Sequence, residues 1–225
     1  MSKNIYGFIG GYGTVASVHL QSLLIQSFTS SKVITKDSDF PDYIVTSLPR
    51  QNAINLSGSN INVEALKSFL DINNQVLSTC SHIFVLCNSF HSHSELLQKR
   101  LNNRVISLPQ ITKTQIENCR YAKPLIVGSD ITSNNSLYSS SRYSEKYLNP
   151  EELIIAGIRN QSADNLIQQV IETATKQNRD SIVLACTDLS IYASTFRKYT
   201  ELPVIDSLET TVKTIIKMEE ENESL

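Results

Sequence analysis

Cys87 and Cys186 are the residues whose setting points to chemistry. Each closes a run of apolar residues: Ile83-Phe84-Val85-Leu86 precedes the first, Ile182-Val183-Leu184-Ala185 the second. Short polar side chains follow, Asn88-Ser89 after one and Thr187-Asp188 after the other. That is the pattern of a buried parallel strand ending at its carboxyl edge, where open α/β sheets gather ligand-binding groups. A single thiol there reads equally well as packing, because free cysteine behaves as a small hydrophobe. Two in equivalent settings, 99 residues apart (186 − 87), suggest a pair. Facing each other across a cleft, one thiol can take a proton from a carbon while the other supplies one to the opposite face. Backbone N–H groups and a following helix are expected to draw each thiol pKa below its ordinary value of about 8.5.

The remaining composition narrows the setting. Twenty basic and twenty-two acidic residues give a formal charge of −2, so no broad positive field exists to hold nucleic acid or an anionic membrane. The apolar run at residues 5–9 is too short for a signal peptide or a membrane span, and the chain reads as cytoplasmic. In that compartment the four cysteines are expected as reduced thiols, and the absence of any C-x-x-C pair argues against a structural metal site. Cys80 and Cys119 end no apolar strand and read as structural.

Elements that could position the two thiols recur along the chain. Residues 5–9 read as a strand, followed by the Gly10-Gly11-Tyr12-Gly13-Thr14 turn and a helix over 15–28. Four of the seven glycines fall within residues 7–13, a crowding that suits a backbone approaching a ligand. Short strands are predicted at 32–35 and 43–46, a helix at 62–77, the Cys87 strand, a helix at 92–102, a strand at 105–108 and a helix at 112–121. From Pro124 the order begins again: a strand at 125–127, a Gly128-to-Thr132 turn, and a Ser-rich surface segment over 134–147 whose Tyr138 and Tyr143 read as surface or lobe-packing residues. A strand at 153–156, an amphipathic helix at 162–175 and the Cys186 strand follow. A last strand at 203–205 leads into a helix from 207. The reading is an α/β chain of two similar tandem lobes, each a mostly parallel sheet flanked by helices. The lobes are assigned to residues 1–108 and 109–206, with 207–225 a C-terminal helix packing back on the first.

Read together, these segments resemble the aspartate/glutamate racemase family. Gly10-Gly11-Tyr12-Gly13 is similar to its G-G-M-G start, Cys87-Asn88-Ser89-Phe90-His91 to its C-N-T-x-H, and Cys186-Thr187-Asp188 to its C-T-E. Pro49-Arg50 looks like its substrate-binding element, and Gly128 to Thr132 like its second-lobe G-T-x-x-T. The resemblance implies a cofactor-independent amino-acid racemase, in the aspartate racemase branch, with its active site in the cleft between the two lobes, acting on a small acidic amino acid and assembled as a homodimer. It assigns Cys87 and Cys186 as the acid/base thiols. Gly11, Tyr12, Gly13, Thr14, Asn88, Ser89, Thr132 and Thr187 then surround the substrate carboxylate, Arg50 takes the side-chain carboxylate, and Arg159 falls near a position where the family often has a basic residue. Tyr12 and Thr14 replace Met and Pro of the family, Ser89 replaces Thr, Asp188 replaces Glu, and Ala185 stands where glycine is usual.

Other readings stay open on these residues. The same two thiols could serve a hydantoin racemase or a maleate isomerase, and a non-catalytic small-molecule-binding protein fits the two-lobed pattern. Gly11-x-Gly13-x-x-Ala16, with Asp37 downstream, fits a dinucleotide fingerprint but leaves both cysteines unexplained.

Overall fold

In a computed structural model of the chain, residues 4–10, 14–31, 36, 39–48 and 61–223 are described. They form two four-stranded sheets of identical topology. The first contains β1 (Ile5–Gly10), β2 (Asp42–Ser47), β3 (His82–Val85) and β4 (Val105–Ile106), in the order β2-β1-β3-β4 and parallel throughout. The second contains β5 (Pro124–Val127), β6 (Lys146–Leu148), β7 (Ser181–Leu184) and β8 (Val204–Asp206), in the order β6-β5-β7-β8 and again parallel. Parallel strands must be joined by crossovers, and helices supply them: α1 (Thr14–Ser31), α2 (Val63–Leu77), α3 (Ser94–Arg100) and α4 (Leu108–Asn118) in the first half. The second half holds α5 (Asp130–Asn134), α6 (Glu151–Ile158), α7 (Asp164–Lys176), α8 (Ala193–Tyr199) and α9 (Ser207–Glu223). The two-lobed α/β reading of the sequence is thus the fold observed.

The central strands β1, β3, β5 and β7 are buried on both faces, as their unbroken apolar runs require. Leu66, Leu70 and Leu77 of α2 and Leu97 of α3 pack with Ile83 and Val85 on one face of the first sheet. On its other face, Leu20, Leu24 and Phe28 of α1 meet Tyr6, Phe8 and Phe84. Helix α9 leaves the second sheet from β8, yet its Leu208, Val212 and Ile215 pack into this same cluster. Asn62 caps α2, its side chain accepting the Ala65 N–H at 3.1 Å. Among the described residues no helix is long and apolar enough to cross a membrane.

Some local expectations change. Residues 153–156 form part of helix α6 and not a strand. Glu151 and Glu152 occupy its first turn, favourable at the positive end of a helix, and burial alternates in the helical manner, with Leu153, Ala156 and Gly157 inside and Ile155 exposed. Strand β4 stops at Ile106, because Ser107 caps α4 through the Gln110 N–H. The segment read as surface runs into β6, and its Tyr138 and Tyr143 are buried, so of the two readings of that pair packing is the one observed. The strand expected at 32–35 lies outside the described residues, as does Asp37.

Candidate active site

The two thiols occupy the same place in their sheets. Val85 and Leu184 are the last residues of β3 and β7, paired in parallel register with Ile9 and Val127. The next residue in each case donates its N–H back to that partner, Leu86 to the Ile9 carbonyl and Ala185 to the Val127 carbonyl, both at 2.8 Å. One residue further on stand Cys87 and Cys186, both extended, each opening a six-residue 3₁₀ turn: Asn88–His93 and Thr187–Tyr192. The turns run into the seven-residue helices α3 and α8. The repeat seen in the sequence is therefore a repeat of backbone geometry down to individual hydrogen bonds.

Five side-chain hydrogen bonds bring the elements around the two thiols together. Thr187 donates its hydroxyl to the Leu86 carbonyl at 3.1 Å, joining the residue after one cysteine to the residue before the other. Ser89 and Ser129 hydroxyls lie 3.0 Å apart, and Ser129 continues to the Thr132 hydroxyl at 3.3 Å. Tyr138 donates its phenol proton to Asn88 Oδ1 at 2.6 Å, while Asn88 Nδ2 donates to the Ser207 hydroxyl at 3.4 Å. Asn88, Ser89, Thr132 and Thr187 are all buried. A hydroxyl has one proton to give, so with Thr187 bonded to Leu86 the donor left at that position is its backbone N–H.

Burial decides the state of both thiols. It pushes Cys87 up to about 12, and the Asp188 carboxylate pushes the same way; the N–H groups of Phe90 and Ser89 pull back without prevailing. Cys186 is raised well above the ordinary thiol range, first by burial, then by Asp188, with a further contribution from Cys87 itself. The expected lowering of the thiol pKa does not occur here. A six-residue 3₁₀ turn supplies a few N–H donors but little aligned dipole, and desolvation of a thiolate outweighs them. His91 is buried too and is held neutral, its pKa lowered to about 4 by burial. Its Nε2 lies 3.2 Å from the Val85 carbonyl, which can only accept, so the proton sits on Nε2. Of the two remaining cysteines, Cys80 is buried against Gly7, whereas Cys119 is exposed at the end of α4.

Glycine allows two close approaches that frame the site. A Cβ on Gly10, at the end of β1, would lie 1.9 Å from Ser17 Oγ in α1. A Cβ on Gly157 in α6 would lie 2.4 Å from the Asp188 carbonyl oxygen, so helix α6 rests directly on the turn after Cys186.

The structure therefore brings together Cys87, Asn88, Ser89, Thr132, Cys186 and Thr187. Arg159 is exposed at the C-cap of α6. Gly11, Tyr12, Gly13 and Arg50 lie outside the described residues; Thr14 begins α1. Sequence reasoning missed three residues: Ser129, Tyr138 and Ser207. Ser129 sat within the Gly128-to-Thr132 motif and could have been read from it. Tyr138 and Ser207 carry no local signal, since only folding places them beside Asn88.

The family model for Asp/Glu/Hydantoin racemase matches residues 9–215. Among solved structures, the aspartate racemase of Picrophilus torridus is 20% identical and superposes with a TM-score of 0.75, covering 96% of this chain and 94% of that one. Glutamate racemase from Francisella tularensis, in complex with D-glutamate, is 14% identical with a TM-score of 0.71, covering 99% of this chain and 83% of that one. Allantoin racemase from Klebsiella pneumoniae is 10% identical with a TM-score of 0.63, covering 98% and 89%. No curated protein matches the sequence. At such identities the structural likenesses establish the fold, while the family model spans nearly the whole chain and both cysteine-ended strands: this chain belongs to the Asp/Glu/hydantoin racemase family.

Proposed function

We propose that the chain is a cofactor-independent racemase of a small acidic amino acid, aspartate first, working through Cys87 and Cys186. One observation carries the reading: two thiols at the same offset from equivalent strand ends, with the residue after one hydrogen-bonded to the residue before the other. The working enzyme holds one thiolate and one thiol. The thiolate takes the α-proton, and the electron pair stays on the α-carbon, delocalised into the substrate carboxylate. The opposite thiol then gives its proton to the other face and becomes the thiolate. A raised pKa helps this chemistry, because a desolvated thiolate is a stronger base toward a weakly acidic carbon. Asn88, Ser89, Thr132, the backbone N–H of Thr187 and the Gly11-to-Thr14 turn hold the α-carboxylate in this scheme. Arg50 holds the side-chain carboxylate, with Arg159 as a further positive charge. Such donors lower the cost of the developing negative charge.

Incubation of L- and D-aspartate separately in deuterated water tests the proposal. Deuterium is expected at Cα, together with inversion, from either enantiomer. Absence of exchange with aspartate and every other acidic amino acid overturns the substrate class. Cys87→Ser and Cys186→Ser are each expected to abolish racemisation, and unchanged activity in either removes the two-thiol assignment. A cytoplasmic, homodimeric protein completes the proposal. Light scattering at enzyme-assay concentrations checks the assembly, with a monomer's mass the contrary result.

A further inference from the structure

We propose that Tyr138 is a positioning residue that fixes the Asn88 side chain in the one orientation able to donate to a substrate carboxylate. This inference rests on the racemase reading and deepens it. An asparagine amide presents an acceptor at one end and two N–H donors at the other, and only the donor end can bind a carboxylate. Rotation of the amide by half a turn would put the wrong end forward. Tyr138 donates to Asn88 Oδ1 at 2.6 Å, so the oxygen is held on the tyrosine. Ser207 accepts one Nδ2 proton at 3.4 Å, which leaves the second as the donor available to a ligand.

The tyrosine is built to hold this orientation. It is fully buried. Its backbone N–H is bonded to the Tyr147 hydroxyl at 3.2 Å, and its carbonyl accepts the Tyr143 hydroxyl at 2.5 Å. Both main-chain groups of Tyr138 are thus gripped by phenols from its own segment, while its own phenol reaches the residue that follows Cys87. Burial raises the phenol pKa well above 10, so it remains a donor at any pH the fold tolerates. Turning the amide over would point Nδ2 at the phenol and give up the 2.6 Å O–H···O bond to Oδ1, which makes the flipped amide the costlier state.

A double-mutant cycle tests the proposal. Tyr138→Phe removes only the hydroxyl. With L-aspartate as substrate, the KM of this variant is expected to rise about tenfold, the scale of one weakened hydrogen bond to a charged group, with a smaller change in kcat. In an Asn88→Ala background the same substitution is expected to change KM by less than about twofold, since nothing is left to orient. An equal KM effect in both backgrounds, or none in the first, overturns the proposal. Tyr6→Phe controls for general loosening, because it removes another buried phenol, bonded at 2.6 Å to Glu219 near the amino end of β1: it is expected to lower the melting temperature and leave KM near the parent value.

A second readout separates this inference from the choice of substrate. In the ¹⁵N–¹H spectrum of the ligand-free protein, the Asn88 side-chain amide is expected as one sharp pair of resonances that broadens or doubles in Tyr138→Phe. An unchanged pair overturns the positioning role even if racemisation is confirmed. A changed pair sustains it even if aspartate proves not to be the substrate.

Discussion

The Thr187 hydroxyl donates to the Leu86 carbonyl at 3.1 Å, so the residue after one thiol is bonded to the residue before the other. Both groups are buried, and the bond spans a sequence distance of 101 residues. Replacing Thr187 by valine keeps the shape but leaves the Leu86 carbonyl without its donor, a loss of about 1–3 kcal/mol. Thermal unfolding of Thr187→Val is expected several degrees below that of the parent, with Thr187→Ser recovering most of the difference. Equal melting temperatures for the valine and serine variants would show that the hydroxyl contributes nothing to the junction.

The state of the thiols predicts the pH dependence of activity. Burial disfavours the charged form, so Cys87 remains a thiol until pH nears 12, with Cys186 raised in the same direction. A reaction needing one thiolate should therefore accelerate with pH across the neutral range, by roughly tenfold per unit while the thiol predominates. Asp188→Asn removes a negative charge that opposes both ionisations and should move this limb toward lower pH. A kcat/KM that stays flat from pH 6 to 9 in the parent would contradict the argument. Alkylation gives an independent check: exposed Cys119 should react first at pH 7.5, without loss of activity.

Gly157 has a steric role that alanine cannot take over. A Cβ there would meet the Asp188 carbonyl oxygen at 2.4 Å and its carbon at 3.1 Å, both backbone atoms. Gly157→Ala must push α6 from the turn that carries Thr187 and Asp188, at a cost of about 1–3 kcal/mol. Calorimetry should show a melting temperature lower by roughly 2–4 °C for each kcal/mol. Racemisation should fall as well, because the displaced turn begins at Cys186; full activity at normal stability would mean that the helix shifts freely.

Asp206 gives a stability signature in acid. Burial raises its pKa to about 6, although the Ser190 hydroxyl at 2.5 Å and the Glu209 N–H at 2.8 Å both favour the carboxylate. Because the folded pKa lies above the unfolded one, the group's stabilising contribution is present below about pH 4 and is lost as pH rises through 6. A shift of about two units corresponds to at most about 3 kcal/mol. Unfolding free energies by denaturant between pH 4 and 7 should show this loss in the parent and a flatter profile in Asp206→Asn. Parallel profiles would assign the pH dependence to other carboxylates.

Much of the architecture was legible because parallel strands buried on both faces leave continuous apolar runs. The runs before Cys87 and Cys186 stand out for this reason, whereas the helix at 63–77 and the long C-terminal helix stand out by the helical spacing of their apolar residues. Residues 153–156 misled because a short apolar run has no periodicity of its own; only the two glutamates before it marked a helix start. Tyr138 was hidden for another reason. Its segment is rich in Ser and Asn, so local composition reads as surface, and the burial comes from partners distant in sequence. The thiol pKa values were also beyond local reading, since the depth of burial that raises them is set by both lobes together.

The residues that follow the two thiols are chemically unlike. Asn88 and Ser89, backed by Tyr138 and Ser207, stand on one side, while Thr187 and the acidic Asp188 stand on the other. In the racemisation proposed, substrate and product are mirror images, and their equilibrium constant is one whatever the catalyst. The ratio kcat/KM must then be equal in the two directions. This inequality can therefore emerge only as a matched pair of differences: the enantiomer held more tightly turns over more slowly by the same factor. The asymmetry of the cleft can shape how saturated the enzyme is with each hand of its substrate, but never which hand accumulates.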